Sequence, residues 1–218
     1  MNPPCILLLG GSFDPVHAGH IGLAHYFCTL LHPDELRLIP AGQPWQKPGL
    51  KTAAEHRIAM LKLAFQQWPV TVQVDSLEIQ REGPSYTVET LRELRRTLGD
   101  QASLLWIIGA DQLNNLHTWY EWRELFALTN LCIAARPGYV IDQAALNSEV
   151  VHEISRRIAN PSQLKQTACG LCFIAYNLAW EVSSTALRES LRQGESVKGL
   201  LPTPVLDYAQ QHHLYQTT

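Results

Sequence analysis

The chain alternates between short, wholly apolar runs and longer stretches in which apolar positions recur at helical spacing. Cys5–Leu9, bounded by prolines and glycines, is a continuous apolar run of the kind that forms a strand buried on both faces. An amphipathic stretch from about Gly19 to Leu31 follows and is closed by His32-Pro33. Glu35–Ile39 then reads as a second strand, stopped by Pro40. Residues 41–51 are rich in Pro and Gly and read as a loop. Thr52-Ala-Ala-Glu55 has the form of a capping box, so a helix is expected from there to about Phe65, with Ile58, Leu61 and Phe65 on one face. Val70–Val74 is β-branched and strand-like, Thr87–Leu98 is helical, and Leu104–Ile108, Leu131–Ala135 and Cys172–Tyr176 are further buried strands. Residues 141–167 are polar and mostly helical, the expected peripheral segment, and two short helices flank Gly199-Leu-Leu-Pro202.

Strands separated by helix-length segments require crossover connections, which predicts an α/β fold with a mainly parallel open sheet flanked by helices. One domain spanning residues 1–218 is expected, with residues 183–218 as a small C-terminal helical part. In such sheets ligands bind beyond the carboxyl ends of the strands, where strand order reverses. Gly10–Phe13, Gly109–Asp111 and Arg136 each follow an apolar strand, so they are expected to converge on one crevice.

Composition narrows the function classes. Apolar residues make up 46% of the 218 and charged residues 17%, a globular balance. A net charge of −3 argues against a general nucleic-acid binder. The early apolar run is too short to span a bilayer and lacks the basic flank of a secretory signal, so a cytoplasmic protein is expected. The five cysteines suit a reducing compartment, and Cys169-x-x-Cys172, with no second pair at metal spacing, reads as free thiols at a strand end.

The chemistry begins directly after the first strand, in Gly10-Gly11-Ser12-Phe13-Asp14-Pro15-Val16-His17-Ala18-Gly19-His20. Glycines here permit positive φ and close approach of a phosphate to the backbone. The helix that follows presents free N–H groups and the positive end of its dipole. His17 and His20, three apart, are expected to turn both rings toward one ligand and to donate to phosphate oxygens. Neither the dinucleotide fingerprint nor the Walker pattern is met. The segment resembles the (T/H)-x-G-H signature of the nucleotidyltransferase superfamily, which implies a Rossmann-like fold and histidines that hold the ATP phosphates in the transition state.

A second anion site is expected near the C-terminus. Val182-Ser183-Ser184-Thr185-Ala186-Leu187-Arg188 opens a helix, with hydroxyls at its start and, one turn on, an arginine able to fork onto two phosphate oxygens. By itself this is an ordinary helix cap. Beside the first motif it resembles the I-S-S-T-x-x-R signature of adenylyltransferases acting on mononucleotides. Gly83-Pro-Ser-Tyr-Thr87 offers hydroxyls and amides to a carboxylate, Ile107–Leu113 places Asp111 at a strand end, and Thr118–Trp122 offers aromatics to a flat ring.

Together these segments, spread from Leu9 to Leu206, resemble the bacterial nicotinate-nucleotide adenylyltransferases. That resemblance implies catalytic roles for His17, His20 and Arg188. It implies ATP contacts from Gly10, Gly11, Ser12, Phe13, Lys47, Gly109, Asp111, Ser184 and Thr185. Nicotinate mononucleotide contacts would come from Ser85, Tyr86, Thr87, Trp119, Tyr120 and Arg136. Mg²⁺ is expected to enter with ATP, held by phosphates and water rather than by a protein metal site. The partners are expected to be these two small molecules, with no nucleic acid and no membrane. The family commonly carries P-P-H-(K/R) after the second strand, whereas this chain has Pro44-Trp45-Gln46-Lys47, which keeps the cation but loses the histidine. A pantetheine-phosphate adenylyltransferase, a cytidylyltransferase and a nucleotide sensor without catalysis are the alternatives.

Overall fold

The computed structural model describes residues 3–45, 50, 52–135, 146–176, 178 and 182–216. In chain order the elements begin β1 (Cys5–Gly11), α1 (Ala18–Leu31), β2 (Glu35–Pro40), α2 (Ala54–Ala64), β3 (Thr71–Val74) and α3 (Leu77–Gln80). They continue with α4 (Thr87–Leu98), β4 (Ser103–Gly109), two 3₁₀ segments (Ala110–Thr118 and Trp122–Glu124), α5 (Leu125–Leu128) and β5 (Asn130–Ala134). The last are α6 (Ser148–Ser155), α7 (Pro161–Gln166), β6 (Cys172–Ala175), α8 (Ser184–Arg192) and α9 (Thr203–Gln211).

The six strands form one sheet in the order β3-β2-β1-β4-β5-β6, and every neighbouring pair is parallel. Strand order reverses between β1 and β4, so the crevice expected of an open α/β sheet opens beyond Gly11 and Gly109. Both faces are covered, which explains the unbroken apolar runs. Cys5, Leu7 and Leu9 of β1 meet Phe27, Leu31 and Met60 on one side, while Ile6 and Leu8 meet Leu91, Leu94 and Leu113 on the other.

Polar residues at the amino ends of the strands are satisfied by α7 from the segment expected at the periphery. The Ser103 hydroxyl donates to Leu164 O (2.7 Å) and the Asn130 amide to Thr167 O (2.7 Å), while the Leu164 side chain is fully buried. All five cysteines are free; Cys169 is half-buried and the other four are buried. Burial pushes the Cys5 thiol up to about 11 and the Cys172 thiol up to about 12, so both stay protonated and unreactive. Among the described residues no helix is long and apolar enough to cross a membrane.

Two local expectations are corrected. Thr52 does not cap α2: the N-cap is Ala53, without a side-chain bond, and Thr52 is buried. The inner face of α2 also differs, because Arg57 is buried with Met60 and Leu61, whereas Ile58 is only half-buried.

Candidate active site

At the carboxyl end of β1, Gly10 and Gly11 are still strand residues, paired with Ile39 and Pro40. Neither has positive φ; in this turn that conformation falls to Phe13 (φ 48°), whose ring is fully buried. The two glycines serve a different end, because each makes room for an aromatic ring. A Cβ on Gly10 would lie 2.7 Å from the Trp106 indole, and one on Gly11 would lie 3.2 Å from the Phe13 ring.

His17 is the N-cap of α1 and His20 stands three residues on. Their rings stack with centroids 3.8 Å apart, and the Phe13 edge meets His20 at 4.9 Å. The His17 backbone N–H donates to His20 Nδ1 (3.3 Å). An accepting Nδ1 leaves the ring proton of neutral His20 on Nε2, the tautomer that can donate to a phosphate oxygen. The amides of this helix end are not all free, as the sequence suggested: Ala18 N donates to Leu200 O (2.8 Å), from the turn before α9.

Four donors from remote parts of the chain hold the turn between β1 and α1. Arg57 Nη1 donates to Ser12 O (2.8 Å), Arg188 Nη1 to Asp14 O (2.6 Å), the Ser184 hydroxyl to Pro15 O (3.3 Å), and the Tyr215 hydroxyl to Asp14 Oδ1 (2.7 Å). Arg188 also reaches Thr185 Oγ1 at 3.3 Å. The two signature segments, far apart in sequence, therefore share one small volume. Arg57 is 2% exposed; burial draws its pKa down, and the nearby Asp14 carboxylate acts in the opposite direction. Burial also pushes the Tyr215 phenol well above its usual range, so it remains a donor to Asp14.

Across the crevice, Gly109 ends β4, and the Asp111 carboxylate folds back into the space that a Gly109 side chain would fill. Gln112 steadies Asp111 by donating to Oδ2 (3.1 Å). Beyond this lies an aromatic group: Tyr86 and Tyr120 have ring centroids 4.8 Å apart, and Trp45 faces Tyr86 at 6.2 Å. Tyr120 and Trp45 are exposed, so the group presents a ring surface to solvent. Trp119 is not part of that pair; it packs against the core below, and its indole N–H is buried with no protein partner among the described residues. Tyr86 is the N-cap of α4 and Thr87 its first residue.

Ser85, half-buried before α4, accepts through its hydroxyl oxygen from the backbone N–H of Gly42 and of Gln43 (both 3.1 Å). Lys47 and Arg136, with the neighbouring Gln46 and the Arg136-Pro-Gly-Tyr139 segment, lie outside the described residues. Among the described residues no group of three His, Cys, Asp or Glu side chains is gathered in a way that holds a metal ion.

Sequence reasoning missed Arg57, Tyr215 and Glu78. Arg57 left a signal, since it falls in the apolar stripe of α2 beside Met60 and Leu61, where an arginine needs a buried acceptor. Tyr215 left none, because its partner Asp14 is remote in sequence, and Glu78 left none, because it lies in a helix of only four residues.

A family model described as cytidylyltransferase-like matches residues 8–190. A protein of Herminiimonas arsenicoxydans named "Probable nicotinate-nucleotide adenylyltransferase" is 50% identical over 213 residues, covering 98% of this chain and 97% of its own. A protein of the same name from Chromobacterium violaceum is 43% identical over 211 residues, covering 96% and 97%. Among solved structures, the Plasmodium falciparum nicotinic acid mononucleotide adenylyltransferase complexed with NaAD superposes with a TM-score of 0.74 over 97% of both chains. At 16% identity that likeness speaks for the fold.

Proposed function

The chain belongs to the cytidylyltransferase-like family, and on that footing we propose that it transfers the adenylyl group of ATP to nicotinate mononucleotide. The observation that carries this reading is the meeting of the two phosphate motifs. Arg188 lies on the Asp14 carbonyl, beside the stacked His17–His20 pair and at the point where strand order reverses. The full-length relatives named for nicotinate-nucleotide adenylyl transfer support the same acceptor.

In this reaction a phosphate oxygen of the mononucleotide attacks the α-phosphorus of ATP in line. The new P–O bond forms as the bond to the β-phosphate bridge breaks, and pyrophosphate leaves with the electron pair. The products are nicotinate adenine dinucleotide and pyrophosphate. Positioning and charge stabilisation dominate such transfers, and no protein nucleophile is required. His20 donates through Nε2 to a phosphate oxygen, with His17 stacked behind it, and Arg188 and Lys47 offset charge along the triphosphate. Gly109 and Asp111 receive the adenosine part of ATP. Tyr86 and Tyr120 supply a ring face to the nicotinate, with Thr87 at the head of α4, Trp119 beneath and Arg136 as further contacts. Mg²⁺ would enter with ATP, held mainly through the phosphates and water. An ATP-consuming reaction and buried, protonated thiols both suit the cytoplasm.

A pyrophosphate-release assay with ATP and a panel of mononucleotides tests this reading. Release with nicotinate mononucleotide, at a higher kcat/KM than with the amide, is the expected result. Release only with another phosphorylated acceptor would transfer the chain to a different branch of the family, and no release with any acceptor would favour a sensor.

A further inference from the structure

Arg92 centres a cluster of charged side chains that the transfer chemistry does not use. It stands on α4, the helix that Tyr86 caps. Its Nε donates to Glu124 Oε1 (2.9 Å), and its Nη2 donates to carboxylate oxygens of both Glu124 and Glu121. One guanidinium therefore bridges two carboxylates that lie beyond the Tyr120 turn. The side chains of Arg92, Glu121 and Glu124 are 36%, 41% and 37% exposed, so a tie of this kind adds little to global stability. Its consequence is local.

The backbone at Glu121 shows what the tie holds. Trp122 N donates to Trp119 O (3.2 Å), which closes a tight turn with Tyr120 and Glu121 at its two central positions. Trp122 is buried and Trp119 packs against the same core, so both ends of the turn are anchored. Between them Glu121 adopts φ 49° and ψ 38°, in the left-handed region. A turn that needs this conformation at its third position favours glycine, since a Cβ there is strained. A glutamate persists in such a place where its surroundings hold it, and here its carboxylate is held by Arg92. Tyr120, the exposed residue before it, sets its ring against Tyr86 with centroids 4.8 Å apart. The ion pair and the tyrosine pair are thus two links between the same two segments, α4 and the turn. Ring contact tolerates sliding, whereas a guanidinium fork is directional.

We propose that Arg92 is a specificity-positioning residue for the mononucleotide acceptor: by holding the Glu121 carboxylate it fixes the left-handed turn that sets Tyr120 against Tyr86. This rests on the reading that the Tyr86–Tyr120 surface receives the acceptor ring. The groups assigned to the triphosphate, His17, His20 and Arg188, stand on other segments, so the tie acts on one of the two substrates.

Titration calorimetry with the full chain tests this, using nicotinate mononucleotide alone and MgATP alone as probes, with steady-state kinetics alongside. Arg92→Met keeps the length of the stem and removes the fork. It is expected to weaken mononucleotide binding, and to raise its KM, about three- to fivefold, the upper range for one exposed ion pair. kcat, Kd for MgATP and the thermal midpoint should stay close to wild type, the first two within about twofold. Arg92→Lys keeps the charge without the fork and should recover part of the affinity. In about 1 M salt, where the Debye length is ~3 Å, the gap between wild type and Arg92→Met should close to less than about twofold. Glu121→Gly lets the turn form without a hold, so adding Arg92→Met to it should cost little more. Wild-type mononucleotide affinity in Arg92→Met, an equal loss for MgATP, or an undiminished loss in the Glu121→Gly background would overturn the proposal and leave Arg92 a surface ion pair. Wild-type protein that fails to bind nicotinate mononucleotide would instead overturn the functional reading on which it stands.

Discussion

At the residue scale, His20 shows how a side chain can be held for chemistry without being needed for the fold. It is half-buried, its Nδ1 is occupied by the His17 backbone N–H, and its ring is set between His17 and the edge of Phe13. Removing the ring deletes a donor to developing phosphate charge but opens no core cavity. His20→Ala is expected to lower kcat by about 10²–10³-fold, the scale of a lost transition-state donor, with a thermal midpoint close to wild type. Pyrophosphate release and a thermal melt on the same preparation check both halves, and near-normal turnover would remove His20 from its assigned role. Residues of this kind were legible in sequence because a ligand-facing motif is local. Arg57 and Glu78 were not, since what makes each of them useful is burial beside atoms that other segments supply.

Elements were read best where the pattern was long. The expected helix at Thr87–Leu98 coincides with α4, and each expected strand lies within a residue or two of the observed one. Shorter pieces escaped: α3 spans only Leu77–Gln80, and the 3₁₀ run Ala110–Thr118 follows no 3.6-residue period, so neither writes a clear apolar stripe. The Thr52 capping signature misled by one position, because the helix is entered through Ala53 with no side-chain bond while Thr52 is buried. Strand β1 misled in another way. Its glycines look like flexible turn residues, yet Gly10 is extended and faces the indole of Trp106 on β4. Gly10→Ala must therefore shift a buried ring, and a loss of about 1–3 kcal/mol is expected from overpacking. Urea denaturation of the variant measures it; an unchanged midpoint would mean that Trp106 moves aside without cost.

For the molecule as a whole, the site is assembled from both ends of the chain. The turn after β1 is held by Arg57 from α2, by Ser184 and Arg188 from α8, and by Tyr215 from beyond α9. The Tyr215–Asp14 bond makes the chain's last described turn part of the frame around the histidines. Tyr215→Phe keeps the ring and removes the hydroxyl, leaving a buried carboxylate oxygen short of one donor. A stability loss of about 1–3 kcal/mol is expected, accompanied by a fall in kcat, because Asp14 belongs to the turn that orients His17 and His20. Chemical denaturation and turnover measured together check this; stability lost with kcat retained would confine the bond to a purely structural role.

Sequence alone determined the strand and helix alternation, the parallel α/β class, the two phosphate motifs and the family resemblance. All of these are carried by residues close together in the chain, whose spacing dictates local conformation and local chemistry. Tertiary structure decided what those residues are set against. It brought Arg188 onto the Asp14 carbonyl, tied Ser85 to the 42–43 loop, and paired Tyr86 with Tyr120 while sending Trp119 toward the core. The physical reason is that hydrogen-bond satisfaction and burial depend on which segments meet, and the parallel crossovers of this sheet bring together segments that no local pattern connects.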